Sequence, residues 1–119
     1  MGQVQGISFR FHPDAETEFL ESIEYYEEVE PGLGQDFAVE VYSAIQRAVA
    51  YPRAWGVFEG EIRRSLVRRF PYGILYSEDP DGILVVAVMH LHREPGYWKG
   101  RVYVLLQANL TIFQGTAPA

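Results

Sequence analysis

A chain of 119 residues is the size of one domain, and a hydrophobic content of 48% is sufficient for a packed core without disulfides or metals. The absence of cysteine excludes disulfides, thiolate metal ligands and thiol catalysis. A net charge of −6 argues against a general nucleic-acid binder. Neither a signal peptide nor an apolar run long enough to span a bilayer is visible, so we expect a soluble cytoplasmic protein.

The first half of the chain predicts a strand followed by two helices. Val4 to Phe11 alternate apolar and polar side chains, which is typical of a strand. The His-Pro-Asp sequence at residues 12–14 favours a helix start, because proline is tolerated in the first turn and acids favour the positive end of the dipole. The apolar stripe of this helix is Ala15, Phe19, Ile23 and Tyr26. Its glutamates, Glu18 and Glu21 among them, lie mostly off the stripe and are expected to be solvated.

A break at residues 30–34 separates the second helix, which ends near Tyr51. The apolar face of this helix consists of Phe37, Val41, Ile45 and Ala48. The two helices are predicted to form a hairpin. Residues 53–61 are predicted to form a loop.

Three strands are predicted to follow, at Ile62–Phe70, Tyr72–Ser77 and Ile83–His92. Both alternating faces of the last strand are apolar, so residues 83–91 are expected in the interior of a sheet. The order predicts an α+β fold, β-α-α-β-β-β, with the helical hairpin on a twisted antiparallel sheet of at least four strands. The apolar tail, residues 102–119, is compatible with an extra strand, a dimer contact or no fixed structure.

Several segments, in this order and spacing, resemble the RelE/ParE superfamily of toxins from type II toxin–antitoxin systems, which includes plasmid stabilisation proteins. They are residues 12–16, 25–28, 31–34, 62–64, 69–72 and 87–90, followed by Arg93, Pro95, Tyr97, Trp98 and Arg101. The resemblance runs from about Ile7 to Arg101. Residues 1–101 are therefore interpreted as the toxin-like domain and residues 102–119 as a C-terminal extension of unknown role.

The resemblance implies a cognate antitoxin as partner and one of two targets. ParE-like members inhibit DNA gyrase and cut nothing, whereas RelE-like members cut messenger RNA on the ribosome. A third possibility is an inactive member that serves as an interaction module. Either a homodimer or a toxin–antitoxin hetero-oligomer is compatible with the sequence.

If the protein is a nuclease, the candidate catalytic residues are His90, His92, Arg93 and Tyr97. Metal-free RNA cleavage needs a base, an acid and cations around the phosphate, and these residue types can fill those roles. The resemblance implies a functional arginine at Arg93. For the two histidines, which would share one strand face, a surface or structural role is the favoured interpretation.

Position 73 departs from the nuclease pattern. RelE-like nucleases carry a further arginine in the strand that matches residues 72–76, where this chain has Gly73. The preceding strand contains arginine but no lysine, and the overall acidity opposes binding to ribosomal RNA. These departures favour the ParE-like interpretation.

Six cations are candidate residues for binding a partner or a phosphate: Arg63, Arg64, Arg68, Arg69, Lys99 and Arg101. Arginine forms bidentate pairs with carboxylates and phosphates alike. The alternative is a solvated face that balances the glutamates of the first helix. We expect an exposed groove of apolar and arginine side chains that accepts an antitoxin segment as an added strand or a helix. No cofactor or metal is expected, since His12 is remote from the other histidines.

Overall fold

The computed structural model describes residues 9–102. Its elements are β1 (Phe9–Phe11), α1 (Pro13–Val29), α2 (Leu33–Ala50), β2 (Val57–Glu59), β3 (Ile62–Leu66), β4 (Tyr72–Asp79) and β5 (Gly82–His90). The predicted α+β fold is confirmed, with β2 as an added strand where a loop was predicted. β2 is only three residues long and has no alternating pattern that would reveal it. Residues 4–8 of the predicted first strand, and the tail after Val102, lie outside the described residues.

The five strands form one sheet in the order β1-β5-β4-β3-β2. β5 lies between β1 and β4, which confirms the predicted interior position of this strand. Strands β2 to β5 are antiparallel, as predicted, but β1 pairs parallel with β5, so the sheet is mixed.

Two predicted strands end earlier than expected. β3 stops at Leu66, because Arg69 adopts the left-handed conformation with φ of 73° and the chain turns back into β4. β5 stops at His90, where the Arg93 N–H donates to the His90 carbonyl and closes a turn. His92 therefore lies in this turn, and the prediction that it shares a strand face with His90 is wrong.

The helical hairpin packs on one face of the sheet and forms the main core. Phe19 and Phe37 are buried between the helices and the sheet, and the Phe37 ring lies 4.8 Å from that of Tyr72 on β4. The predicted apolar faces of both helices are confirmed as the contact surface. No helix among residues 9–102 is long and apolar enough to cross a membrane.

A smaller cluster covers the opposite face of the sheet. It consists of Ile62, Leu75, Leu84, Val86, Ala87, Met89 and Trp98, with Phe58, Tyr97 and Val102 packed at its margin. The chain after β5 returns across this face, and the Trp98 side chain is 3% exposed. This second layer explains why both faces of β5 are apolar.

Candidate functional site

One candidate site lies beside the part of β5 that β1 does not cover. β1 pairs with β5 only as far as Val85. Beyond it, the Val88 N–H donates to the Glu18 carboxylate at 3.0 Å, and Arg101 donates to the Val86 carbonyl at 3.0 Å. Glu18 and Arg101 thus take the place of a neighbouring strand along this edge.

Glu18 and Arg101 also bind each other. The Arg101 guanidinium donates to both Glu18 carboxylate oxygens, at 3.0 and 2.6 Å, and the two side chains are only 17% and 13% exposed. Burial opposes the charge of Arg101, but the hydrogen bonds and charge of Glu18 raise its pKa overall. The prediction that Glu18 is solvated is wrong. Arg101, a predicted binding residue, is engaged inside the protein.

Tyr97 lies between two arginines. The Arg93 guanidinium carbon is 3.9 Å from the Tyr97 ring centroid, and that of Arg101 is 5.0 Å away. The Tyr97 hydroxyl is buried and makes no hydrogen bond within residues 9–102. Burial, and secondly the negative charge of Glu18, raise the pKa of Tyr97 well above its usual value. The phenol is therefore protonated at neutral pH and is a poor general base.

His90 borders the same pocket as Tyr97. Its Nδ1 accepts the His92 N–H at 3.1 Å, and the two imidazole rings are 5.1 Å apart. The Tyr72 ring packs against His90 with centroids 5.0 Å apart. Because Nδ1 is occupied as an acceptor, neutral His90 carries its proton on Nε2.

Three of the four predicted catalytic residues therefore border one small pocket of about 190 Å³. We call it the Tyr97 pocket, and its lining includes Glu18, Glu21, Tyr72, His90, Arg93 and Tyr97. The two glutamates were not predicted as site residues. For Glu18 the available signal is its spacing of three from Ala15, which places it at the border of the apolar stripe.

Position 73 points away from this pocket. A Cβ atom at Gly73 would lie 2.9 Å from Arg64 Cδ and 3.6 Å from Leu91 Cδ2. Neighbouring residues on a strand face opposite sides, and Tyr72 faces the Tyr97 pocket. A side chain at position 73 would therefore lie on the other face of the sheet from the Tyr97 pocket, which Arg93 borders.

A second candidate site lies at the opposite edge of the sheet. It is a groove of about 390 Å³ that we call the arginine groove, lined among others by Arg47, Val57, Phe58, Arg64, Leu66 and Arg68. The Arg64 guanidinium lies 5.0 Å from the Phe58 ring centroid. Arg47, from the last turn of α2, donates to the Leu66 carbonyl at 3.0 Å. Arg47 was not predicted as a site residue, although it is one of only two arginines among residues 1–50, which contain no lysine.

The other predicted cations lie elsewhere. Arg63 donates to the carbonyls of Arg53 and Trp55, at 3.2 and 2.7 Å, and so fixes the loop before β2. Arg69 pairs with Asp36 at 3.5 Å and Lys99 with Glu59 at 2.7 Å, all on the surface. The structure thus brings only Arg64 and Arg68 of the predicted set into one groove.

His12 has a structural position in α1. Its Nδ1 accepts the Asp14 N–H at 3.0 Å and caps the helix. Among residues 9–102 no three side chains of the ligating types are grouped as a metal site.

Two layers of this kind, a helical hairpin on a five-stranded sheet, define a RelE/ParE-like fold. The chain is similar to a chain in the solved structure described as "Chromosomal ParDE TA system from P. aeruginosa", with a TM-score of 0.62 and 12% sequence identity. The similarity covers 72% of this chain and 97% of that one. No protein-family model matches the chain, and no curated protein matches it. At this identity the likeness shows the fold alone.

Proposed function

We propose that this chain is the toxin of a type II toxin–antitoxin pair, neutralised by a cognate antitoxin, and that its target is DNA gyrase. The observation that carries the proposal is the likeness to a chain of a ParDE system along 97% of that chain's length. The sequence supports the proposal independently, because segments between Ile7 and Arg101 resemble RelE/ParE toxins in both their order and their spacing. A fold alone does not define a function, so the proposal also depends on the chemistry of the site.

The charges of the Tyr97 pocket support a toxin that acts by binding. Glu18 and Glu21 place carboxylates beside the residues that would have to surround a phosphate, and Glu18 already holds Arg101. The raised pKa of Tyr97 opposes its use as a base. A pentacoordinate phosphate needs preorganised positive charge, and this pocket offers chiefly Arg93.

A ribosome-dependent endoribonuclease is the second candidate function, and one observation favours it. His90, Arg93 and Tyr97 border the same pocket although no pattern in the sequence required this. In this alternative, His90 Nε2 exchanges the proton and Arg93 binds the phosphate. An inactive family member that retains only antitoxin binding is a third alternative.

Expression of the chain without its antitoxin distinguishes these functions. Under the proposal, replication stops and DNA damage is induced while transcripts stay intact. Cuts within codons that appear only during translation, and that decrease by roughly a hundred-fold in His90→Gln or Arg93→Ala, would instead establish the nuclease. Normal growth with intact transcripts would favour the interaction module.

A further inference from the structure

The arginine groove is closed to an added strand. The Arg47 guanidinium donates to the Leu66 carbonyl at 3.0 Å and so occupies the acceptor that strand pairing at this edge needs. The volume of the groove, about 390 Å³, lies in the range of pockets that hold small molecules. Its volume and its blocked edge therefore favour a compact ligand over an extended chain.

The groove concentrates positive charge on a protein whose net charge is −6. Three guanidinium groups line it, those of Arg47, Arg64 and Arg68, and none of the lining residues among residues 9–102 is acidic. No ion pair formed within these residues includes any of the three. Burial, and secondly the positive charge of Arg68, lower the pKa of Arg47. A ligand with several negative charges in a small volume would neutralise all three groups at once.

Contacts within the protein hold the walls of the groove in place. The Trp55 indole N–H donates to the Arg47 carbonyl at 3.0 Å, which fixes this ring as part of the lining. The Arg47 guanidinium is itself held by Leu66, and that of Arg64 lies 5.0 Å from the Phe58 ring centroid. A site whose side chains are already positioned loses little conformational entropy when a ligand binds.

The rest of the lining is aromatic and apolar. It includes Trp55, Val57, Phe58, Leu66 and Val67. Val57 and Leu66 are 58% and 51% exposed, so the groove presents apolar surface beside its charges. A nucleobase stacks on an aromatic ring and on the plane of a guanidinium group. An inorganic anion alone would leave this apolar surface uncovered, whereas an anion attached to a base covers both parts of the groove.

We propose that the arginine groove binds a nucleoside polyphosphate, with its phosphates on Arg47, Arg64 and Arg68 and its base stacked on Trp55. A guanidinium group donates two parallel hydrogen bonds to a phosphate, which suits three arginines to a chain of phosphates. The Tyr97 pocket is a separate site, because it lies at the other edge of the sheet and is lined by two glutamates. The ligand does not depend on the proposed function, since the chemistry of the groove alone selects it.

The test measures binding of ATP and GTP to the purified full chain by calorimetry. Quenching of tryptophan fluorescence is a second readout, because Trp55 lines the groove whereas Trp98 is buried. At least one nucleotide should bind, and its affinity should fall as salt increases. The matching nucleoside, which lacks phosphates, and inorganic triphosphate, which lacks a base, should each bind roughly tenfold or more weakly, because each contacts only part of the groove.

Substitutions locate the binding. Arg64→Gln with Arg68→Gln should weaken nucleotide binding by roughly tenfold or more. Arg64→Lys with Arg68→Lys should restore it only in part, because lysine keeps the charge but makes no bidentate contact. The matched control is Arg10→Gln with Arg53→Gln, which removes the same charge at two arginines that lie in ion pairs outside the groove. This control should bind nucleotide like the unaltered chain.

Four results would overturn the inference. They are no binding of either nucleotide, equal affinity for nucleotide and inorganic triphosphate, equal weakening by the two glutamine double variants, and tighter binding of a short single strand of DNA or RNA, which would assign the groove to nucleic acid. Toxicity is measured separately: a harmless chain that binds nucleotide refutes only the proposed function, and a toxic chain that does not bind it refutes only this inference.

Discussion

Glu18 and Arg101 join three parts of the chain that are far apart in sequence. Glu18 lies on α1, Arg101 follows the turn after β5, and both contact the uncovered edge of β5. Each satisfies a backbone group that would otherwise be buried without a partner, at Val88 and Val86 respectively. A single mostly buried ion pair thus closes the sheet edge and shapes the Tyr97 pocket.

Replacing Glu18→Gln should destabilise the protein by about 2–3 kcal/mol, because it leaves the mostly buried Arg101 with only the exposed Asp14 carboxylate, 3.7 Å away, as counter-charge. The control is Glu21→Gln, an exposed neighbour on the same helix, which should change the free energy of unfolding by less than about 0.5 kcal/mol. Urea unfolding of both variants measures the difference. Equal midpoints would show that the pair contributes nothing to stability.

The Tyr97 hydroxyl predicts that the stability of the folded protein decreases at alkaline pH. Above pH of about 10 an unfolded-state tyrosine loses its proton, whereas the raised pKa keeps native Tyr97 protonated. The unfolded state then binds fewer protons, so stability falls as pH rises beyond that value. Tyr97→Phe should flatten this fall and be neutral or stabilising at pH 7, since the hydroxyl has no partner within residues 9–102. A parallel decline in the variant and the unaltered protein would contradict this.

The two helices approach closely where α2 begins. A Cβ atom at Gly34 would lie 2.6 Å from the Ile23 carbonyl oxygen and 3.0 Å from the Glu27 side chain. The Glu27 carboxylate also accepts the N–H groups of Gly32 and Gly34, which ties the connection between the helices to α1. Side-chain size at position 34 therefore controls the spacing of the hairpin.

In a helix, glycine to alanine normally stabilises by up to about 1 kcal/mol. At Gly34 the sign should reverse, and Gly34→Ala should destabilise by roughly 1–3 kcal/mol through overpacking. Gly56→Ala is the control, because nothing lies within 4 Å of its added Cβ. Thermal unfolding compares the two variants. A Gly34→Ala protein that is as stable as the control would show that the helices move apart freely.

At the scale of the whole molecule, the sequence predicted what depends on local patterns. The helical hairpin followed from apolar side chains spaced three to four residues apart. The interior position of β5 followed from apolar side chains on both alternating faces of that strand. The parallel pairing of β1 and the capture of Glu18 by Arg101 were missed, because they join residues more than seventy positions apart. Of the residues that line the Tyr97 pocket, His90, Arg93 and Tyr97 were predicted from the sequence. Glu18 and Glu21 were not, because they lie on α1 and resemble the solvated residues of a surface helix.

The central claim, a toxin that binds DNA gyrase and cuts nothing, is tested most directly with purified components. The full chain, added to gyrase and relaxed plasmid, should inhibit supercoiling in proportion to its concentration, and His90→Gln should inhibit equally because no proton transfer is involved. Undiminished supercoiling, together with codon-phased cleavage of messenger RNA on translating ribosomes, would contradict the account and establish the Tyr97 pocket as a nuclease site.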